Sequence, residues 1–238
     1  MKVVTNEKLI ASRAKLGKRA SLIGLLILLA GFAISFSPNL FYISLGCLII
    51  GFTVSNIGVF NANQWIKQPR ADQVLSRGLK GFSNKFTLFN YTGPIPHGIV
   101  GPPGVIVFLV KLQEGKISVN SNRWKQAFSF RRLMAFFGSE SLGNPGRDLK
   151  ALVEAAKTAC ARTLPDVEVP VHGAVVFSSP KAELTTLQDP DVPVLMEKDL
   201  KDFLKGLTKE EILNADQRKA LMLTFQGNYE LPEKSTEV

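Results

Sequence analysis

Residues 20–66 read ASLIGLLILLAGFAISFSPNLFYISLGCLIIGFTVSNIGVFNANQWI, without one Asp, Glu, Lys or Arg. A bilayer core takes roughly 20 apolar residues per helix, and two stretches of that order lie here, 21–37 and 40–60. Pro38 and Asn39 between them are turn formers. The run therefore predicts two transmembrane α-helices in an antiparallel hairpin, with both chain ends on one side. A cleaved signal peptide is the rival reading, since Ala33 and Ser35 are small. The long charged segment before the run and the second span directly after the first argue against it. No ionisable side chain lies inside the spans, as a transporter or proton relay would need, so an anchor is expected rather than a channel. Ala33 with Ser37, and Gly51 with Ser55, have the spacing of close helix contacts.

Charge orients the hairpin. Lys2, Lys8, Arg13, Lys15, Lys18 and Arg19 stand before it against Glu7. Lys67, Arg70, Arg77, Lys80 and Lys85 follow it against Asp72. Flanks rich in Lys and Arg stay cytoplasmic. The expectation is an integral membrane protein of a bacterial-type plasma membrane, with two spans and both termini in the cytoplasm. The net charge of +9 is uneven: residues 61–132 carry eleven basic and two acidic side chains, residues 133–238 twelve and seventeen. Attraction to anionic lipid headgroups explains a basic region beside a membrane; a nucleic-acid groove is the sharper alternative. The two cysteines, Cys47 in a span and Cys160 in a predicted helix, suggest no disulfide, which fits a reducing compartment. His97 and His172 are isolated, and no Cys/His spacing points to zinc.

The part after Trp65 is long enough for a core of its own. A helix is predicted over 70–79. Strands follow at 86–90, 97–100 and 105–111, the last (VIVFLVK) nearly continuous in apolar residues, as in a strand covered on both faces. Further strands are expected at 116–119 and 124–130. Asn144-Pro145 opens a helix in the usual order, with Leu149, Leu152, Val153, Ala156 and Cys160 on one face. After it come strands at 169–178 and 182–187, a short apolar segment at 192–196 and a helix at 198–207. Thr208 and Glu211 have capping-box spacing for another helix, and 215–225 closes the fold. The organisation expected is a basic arm (1–20), the hairpin (21–60), a juxtamembrane segment with the first helix (61–85), a core (86–227) and a polar tail (228–238).

The stretch PIPHGIVGPPGVIVFLVKLQEGKISVNSNRWKQ (94–126) resembles the nuclease-related (NERD) family. It has a strand, a Pro-Gly turn, a strand beginning Gly-Val and ending in Lys, a Gly turn, a short strand and a Trp. Asn144-Pro145 and Val175-Val176-Phe177 continue the pattern, which covers about 70–207. The resemblance implies an α/β (α+β) cytosolic domain whose mixed central sheet is like the PD-(D/E)XK nuclease core. It also implies a metal-dependent site: an acid on one strand, a Glu-x-Lys pair on the next and an acid on the first helix. Hard divalent ions require such oxygen ligands.

In this chain the first strand acid falls at Pro96, before His97, and the Glu of Glu-x-Lys falls on Leu109. Neither residue can bind a cation. Lys111 alone remains of the central motif, and a strand-end lysine can simply snorkel to water. The expected function is a membrane-anchored, catalytically inactive binding or scaffold module with no cofactor and no metal ligands. A divergent Mg²⁺-dependent nuclease using Asp72, Glu114 and Lys111 on DNA or RNA is one alternative. A membrane-assembly protein acting through its hairpin is the other. Candidate contacts to lipid or nucleic acid are Lys80, Lys85, Arg123, Lys125, Arg131 and Arg132. Trp124, Phe128 and Phe130 interleave with some of these as stacking rings would; period-two alternation reads the same residues as apolar-in, basic-out. Partners beyond the bilayer, a protein or a nucleic acid, and the oligomeric state stay open. Walker A and Gly-x-Ser-x-Gly signatures are absent.

Overall fold

The computed structural model describes residues 1–127, 141–208 and 211–229. The chain divides into two units. One comprises 1–6, 71–127 and the described residues from 141 onward; the other contains 7–70.

The second unit is the hairpin. Helix α1 runs Glu7–Ile34 and α2 runs Phe41–Trp65, joined through a 3-10 turn at Pro38–Leu40. Both are long and apolar enough to cross a bilayer. Large apolar side chains face outward, Phe36 at 75% and Tyr42 at 85% exposure among them. The residues buried on the two helices include two sets of small ones: Gly17, Gly24 and Gly31 on α1, and Ser44, Gly51 and Gly58 on α2. Each set repeats every seven residues, the period of helices that wrap left-handedly around each other. A methyl group placed on Gly24 would lie 2.5 Å from the Ser55 backbone nitrogen, so the backbones touch. The Ser44 hydroxyl donates across the seam to the Gly31 carbonyl at 2.8 Å. Gly51 and Ser55 belong to this contact as expected, but Ala33 and Ser37 are exposed.

The first unit is mixed α/β. Its main sheet has six strands in the order β1 (Lys2–Thr5), β2 (Thr87–Asn90), β3 (His97–Gly101), β4 (Gly104–Lys111), β7 (Val171–Phe177) and β9 (Val194–Met196). β2, β3 and β4 are antiparallel neighbours, while β1, β7 and β9 pair in parallel. Gly104 holds φ +125 after the Pro102-Pro103 turn, a conformation reserved for glycine. A second sheet orders β6 (Arg123–Gln126), β5 (Gly115–Asn120) and β8 (Ala182–Gln188). Strand alternation feeds two apolar layers. Val105, Val107, Val175 and Phe177 share one with Leu149, Ala156 and Phe225. Ile106, Phe108 and Val176 share the other with Leu75, Leu79, Leu200 and Leu204. β4 supplies both, which is why its sequence is apolar without a break.

The helices of this unit are α3 (Ala71–Gly78), α4 (Pro145–Thr163), α5 (Leu200–Leu207) and α6 (Ala215–Gln226). The Asn144 side chain caps α4, accepting from the Arg147 N–H at 3.0 Å. Two expectations are corrected. The first twenty residues are not an arm: 2–5 form a strand of the main sheet, and α1 starts at Glu7. Thr208 and Glu211 do not form a capping box; that box is Asn214 with Gln217, opening α6. The N–H groups of Ile212 and Leu213 bond the Pro102 carbonyl instead, at 3.0 and 2.9 Å. The part of the 124–130 strand after Ala127 and most of the 228–238 tail lie outside the described residues.

Candidate functional site

The register of β3 on β4 pairs Gly98 with Val107 and Gly101 with Gly104. The ladder ends at the Gly98–Val107 pair, so Pro96 and Leu109 lie just beyond it, each two residues past its last pair. These are the positions at which a nuclease-like site would carry its strand acids, and they hold a ring and an isobutyl group. Two residues on, Lys111 pairs with Phe177 of β7. Alternation puts Lys111 on the Leu109–Phe177 face of the sheet. At 3% exposure it does not reach water as a strand-end lysine would. Glu114 is exposed in the β4–β5 turn, where its backbone carbonyl accepts from Gln126 at 2.7 Å.

Asp72 lies elsewhere. It sits in the first turn of α3, 4% exposed, and its charge acts on His97. His97 alternates with Ile99 and so faces the Phe108–Leu88 layer, opposite Lys111. The sheet stands between Asp72 and Lys111, so Asp72, Glu114 and Lys111 do not share one face. Among the described residues no three His, Cys, Asp or Glu side chains gather as a metal site would require.

What the α3 face does assemble is a buried polar row across three strands. Thr5, Asn90 and His97 are register partners on β1, β2 and β3. Asn90 is wholly buried; its amide NH₂ donates to the Thr5 hydroxyl at 3.1 Å, and its amide oxygen lies 2.9 Å from His97 Nδ1. An amide oxygen only accepts, so His97 Nδ1 carries a proton. Asn6 extends the row, its N–H reaching the Asn90 carbonyl at 3.0 Å and its side chain the Tyr91 carbonyl at 3.1 Å. The Tyr91 ring packs edge-on against the imidazole at 4.7 Å between centroids. Burial drives the His97 pKa down to about 4 despite the opposing pull of Asp72, so the ring is neutral at physiological pH. Nothing in the spacing of an isolated histidine announced this row. Its only trace in the sequence is a polar residue ending one strand and beginning the next.

The basic candidates are dispersed. Arg123 and Lys125 are exposed on β6, while Trp124 between them turns inward, 6.4 Å from the Phe177 ring. Over 123–126 the strand alternates basic-out with a half-buried Trp124. Lys80 is exposed, and Lys85 pairs with Glu211, whose carboxyl is held below the ordinary range by the hydrogen bond from Lys85 and then by its charge. Lys85 also borders an open cleft of about 360 Å³ with Phe82, Phe86, Pro102, Lys205 and Glu211. Arg131 and Arg132, with Phe128 and Phe130, lie outside the described residues.

No protein-family model matches the chain, and no curated protein or solved structure does.

Proposed function

We propose that the chain is a membrane-anchored, cytoplasm-facing module with a NERD-like fold that binds rather than cuts. The observation that carries the reading is what stands just past the end of the β3–β4 ladder. At the two positions for which the resemblance calls for carboxylates the chain has Pro96 and Leu109. Neither offers a side-chain oxygen, and a divalent ion held by Lys111 alone is electrostatically excluded. The anchor is supported by the two long apolar helices and by connectivity. The chain leaves the main sheet at Asn6 and re-enters the same unit at Ala71, so a hairpin inserted between those points enters and leaves the bilayer through one surface. The Lys and Arg flanks favour the cytoplasmic surface.

The test is purified full chain in nanodiscs, incubated with single- and double-stranded DNA and RNA in Mg²⁺ or Mn²⁺. The expected result is no cleavage above a protein-free control. Metal-dependent cleavage that disappears in Lys111→Ala would replace this reading with the nuclease alternative. Extraction of the chain from membranes by alkaline carbonate would remove the anchor.

A further inference from the structure

α1 continues beyond its apolar part by about three turns, and the change in character is abrupt. Arg19 is charged, and Ala20 begins the charge-free run. The packing of α2 fixes the same level on the second helix: Gly58 lies against Ser21, and Gly17 against Asn61 and Ala62. Phe60, the last exposed apolar residue of α2, and Asn61, a polar one, therefore flank the level of Arg19. Both helices change polarity at one height, which marks the edge of the hydrocarbon. Above it, α1 exposes Lys18, Lys15, Arg13 and Lys8. At 1.5 Å per residue these stand roughly 1.5, 6, 9 and 16 Å beyond Arg19. A headgroup layer is roughly 5–8 Å deep, from the difference between total and core bilayer thickness. Arg19, Lys18 and Lys15 fall inside it; Lys8 falls well outside.

Their direction matters as much as their height. Gly17 marks the side of α1 that faces α2. Lys15 and Arg19 are each two residues, about 200°, from it, and Lys18 is about 100° away. All three point away from the partner helix, on the side where Leu22, Leu26 and Leu29 are exposed one to three turns further in. We propose that Lys15, Lys18 and Arg19 form a collar that selects phospholipids with a net negative headgroup in the leaflet where the hairpin enters. Trp65, at the end of α2 about 8 Å beyond Phe60, stands at the same interface. The proposal rests on reading the hairpin as a membrane anchor and adds the lipid class and the residues that recognise it.

The chain has two tryptophans, so Trp124→Phe leaves Trp65 as the sole fluorophore. The experiment reconstitutes this full chain in phosphatidylcholine vesicles containing increasing brominated phosphatidylglycerol or, separately, brominated phosphatidylcholine, and reads quenching of Trp65. Brominated phosphatidylglycerol is expected to quench at a several-fold lower mole fraction, with the preference shrinking as salt rises. Each of Lys15→Gln, Lys18→Gln and Arg19→Gln reduces the preference by up to about five-fold, the worth of one cation near the surface. Arg13→Gln acts more weakly and Lys8→Gln not at all. Equal quenching by the two lipids, or a preference that survives the three single variants but falls in Arg123→Gln/Lys125→Gln, would overturn the collar while leaving the anchor in place. Absence of quenching by either lipid would instead remove the anchor reading beneath it.

Discussion

The hairpin and the α/β unit are held together by opposite means. Between α1 and α2 the buried positions of the seven-residue seam are Gly17, Gly24, Gly31, Ser44, Gly51 and Gly58, and most large side chains point out. In the α/β unit the fully buried residues include Phe108, Phe177, Phe225, Leu75 and Ile106, and most charged side chains, Asp72 and Lys111 excepted, point out. The inversion follows from the solvent each is suited to. In water, apolar area removed from solvent contributes roughly 25 cal/mol per Å², so bulk belongs inside. In hydrocarbon that drive vanishes, and helices associate by close backbone approach and hydrogen bonds across the seam.

The contrast is broken most forcefully by deleting bulk where bulk holds the fold. Phe108 is fully buried on β4 and packs near Phe203 of α5 at 6.5 Å between ring centroids. Phe108→Ala is expected to cost the α/β unit about 3–5 kcal/mol, read as a fall in the urea midpoint of the tryptophan signal. Separation of α1 from α2, followed by resonance energy transfer between labels on the two helices, should be unchanged. Simultaneous loss of both would mean that the units are one cooperative structure.

How much of this contrast could be read beforehand depended on whether the signal was local. The hairpin declared itself through missing charge, and β4 through an unbroken apolar run. α4 declared itself through Asn144-Pro145 and a helical stripe from Leu149 to Cys160. Each of these is decided within a few residues. β1 was illegible because KVVT sits among charges, and its partner Thr87–Asn90 is more than eighty residues away. The glycine seam is invisible to a four-residue spacing because the helices meet every seven residues. The capping boxes at Thr208 and Asn214 have equivalent spacing. The choice between them was made by tertiary bonds from Ile212 and Leu213 to Pro102, which no local pattern contains. At the candidate site, Pro96 and Leu109 were identifiable as non-ligands, but the pairing of Asn90 with His97 became visible only through strand register.

That buried row gives the α/β unit a sensitivity the hairpin lacks. His97 has a folded pKa near 4 against an ordinary value of 6.5, so the folded state binds fewer protons than the unfolded state. Stability from this group is complete above about pH 6.5 and is lost as pH falls toward 4, reaching about 3 kcal/mol at the acid end. Urea titrations at pH 7, 5.5 and 4.5 should show this limb, and His97→Gln should flatten it. An identical acid limb in the variant would assign the loss to other groups. The hairpin carries no histidine, so its helix separation should not change over the same range.

The seam is tested from the other direction, by adding atoms. Gly24→Ala inserts a methyl 2.5 Å from the Ser55 nitrogen, and overpacking of this kind costs about 1–3 kcal/mol. The gain in helix propensity of alanine over glycine, at most about 1 kcal/mol, opposes it. The net effect expected is a lower sodium dodecyl sulfate fraction at the midpoint of hairpin opening in mixed micelles. Gly46→Ala, where a methyl meets nothing within 4 Å, should raise the midpoint or leave it unchanged. Similar destabilisation by both would show that the seam is not where the helices touch.

The smallest effect isolates the hydrogen bond from the packing. Ser44→Ala removes the hydroxyl that reaches the Gly31 carbonyl while keeping a residue small enough for the seam. The Gly31 carbonyl still accepts its own helical bond from Ser35 at 3.1 Å, so no acceptor is stranded. Side-chain hydrogen bonds between membrane helices contribute only about 0.6 kcal/mol on average. Ser44→Ala should therefore shift the opening midpoint by less than Gly24→Ala does. If it shifts the midpoint more, polar contact rather than backbone proximity binds the two helices, and the contrast with the α/β unit lies in hydrogen bonding rather than in side-chain size.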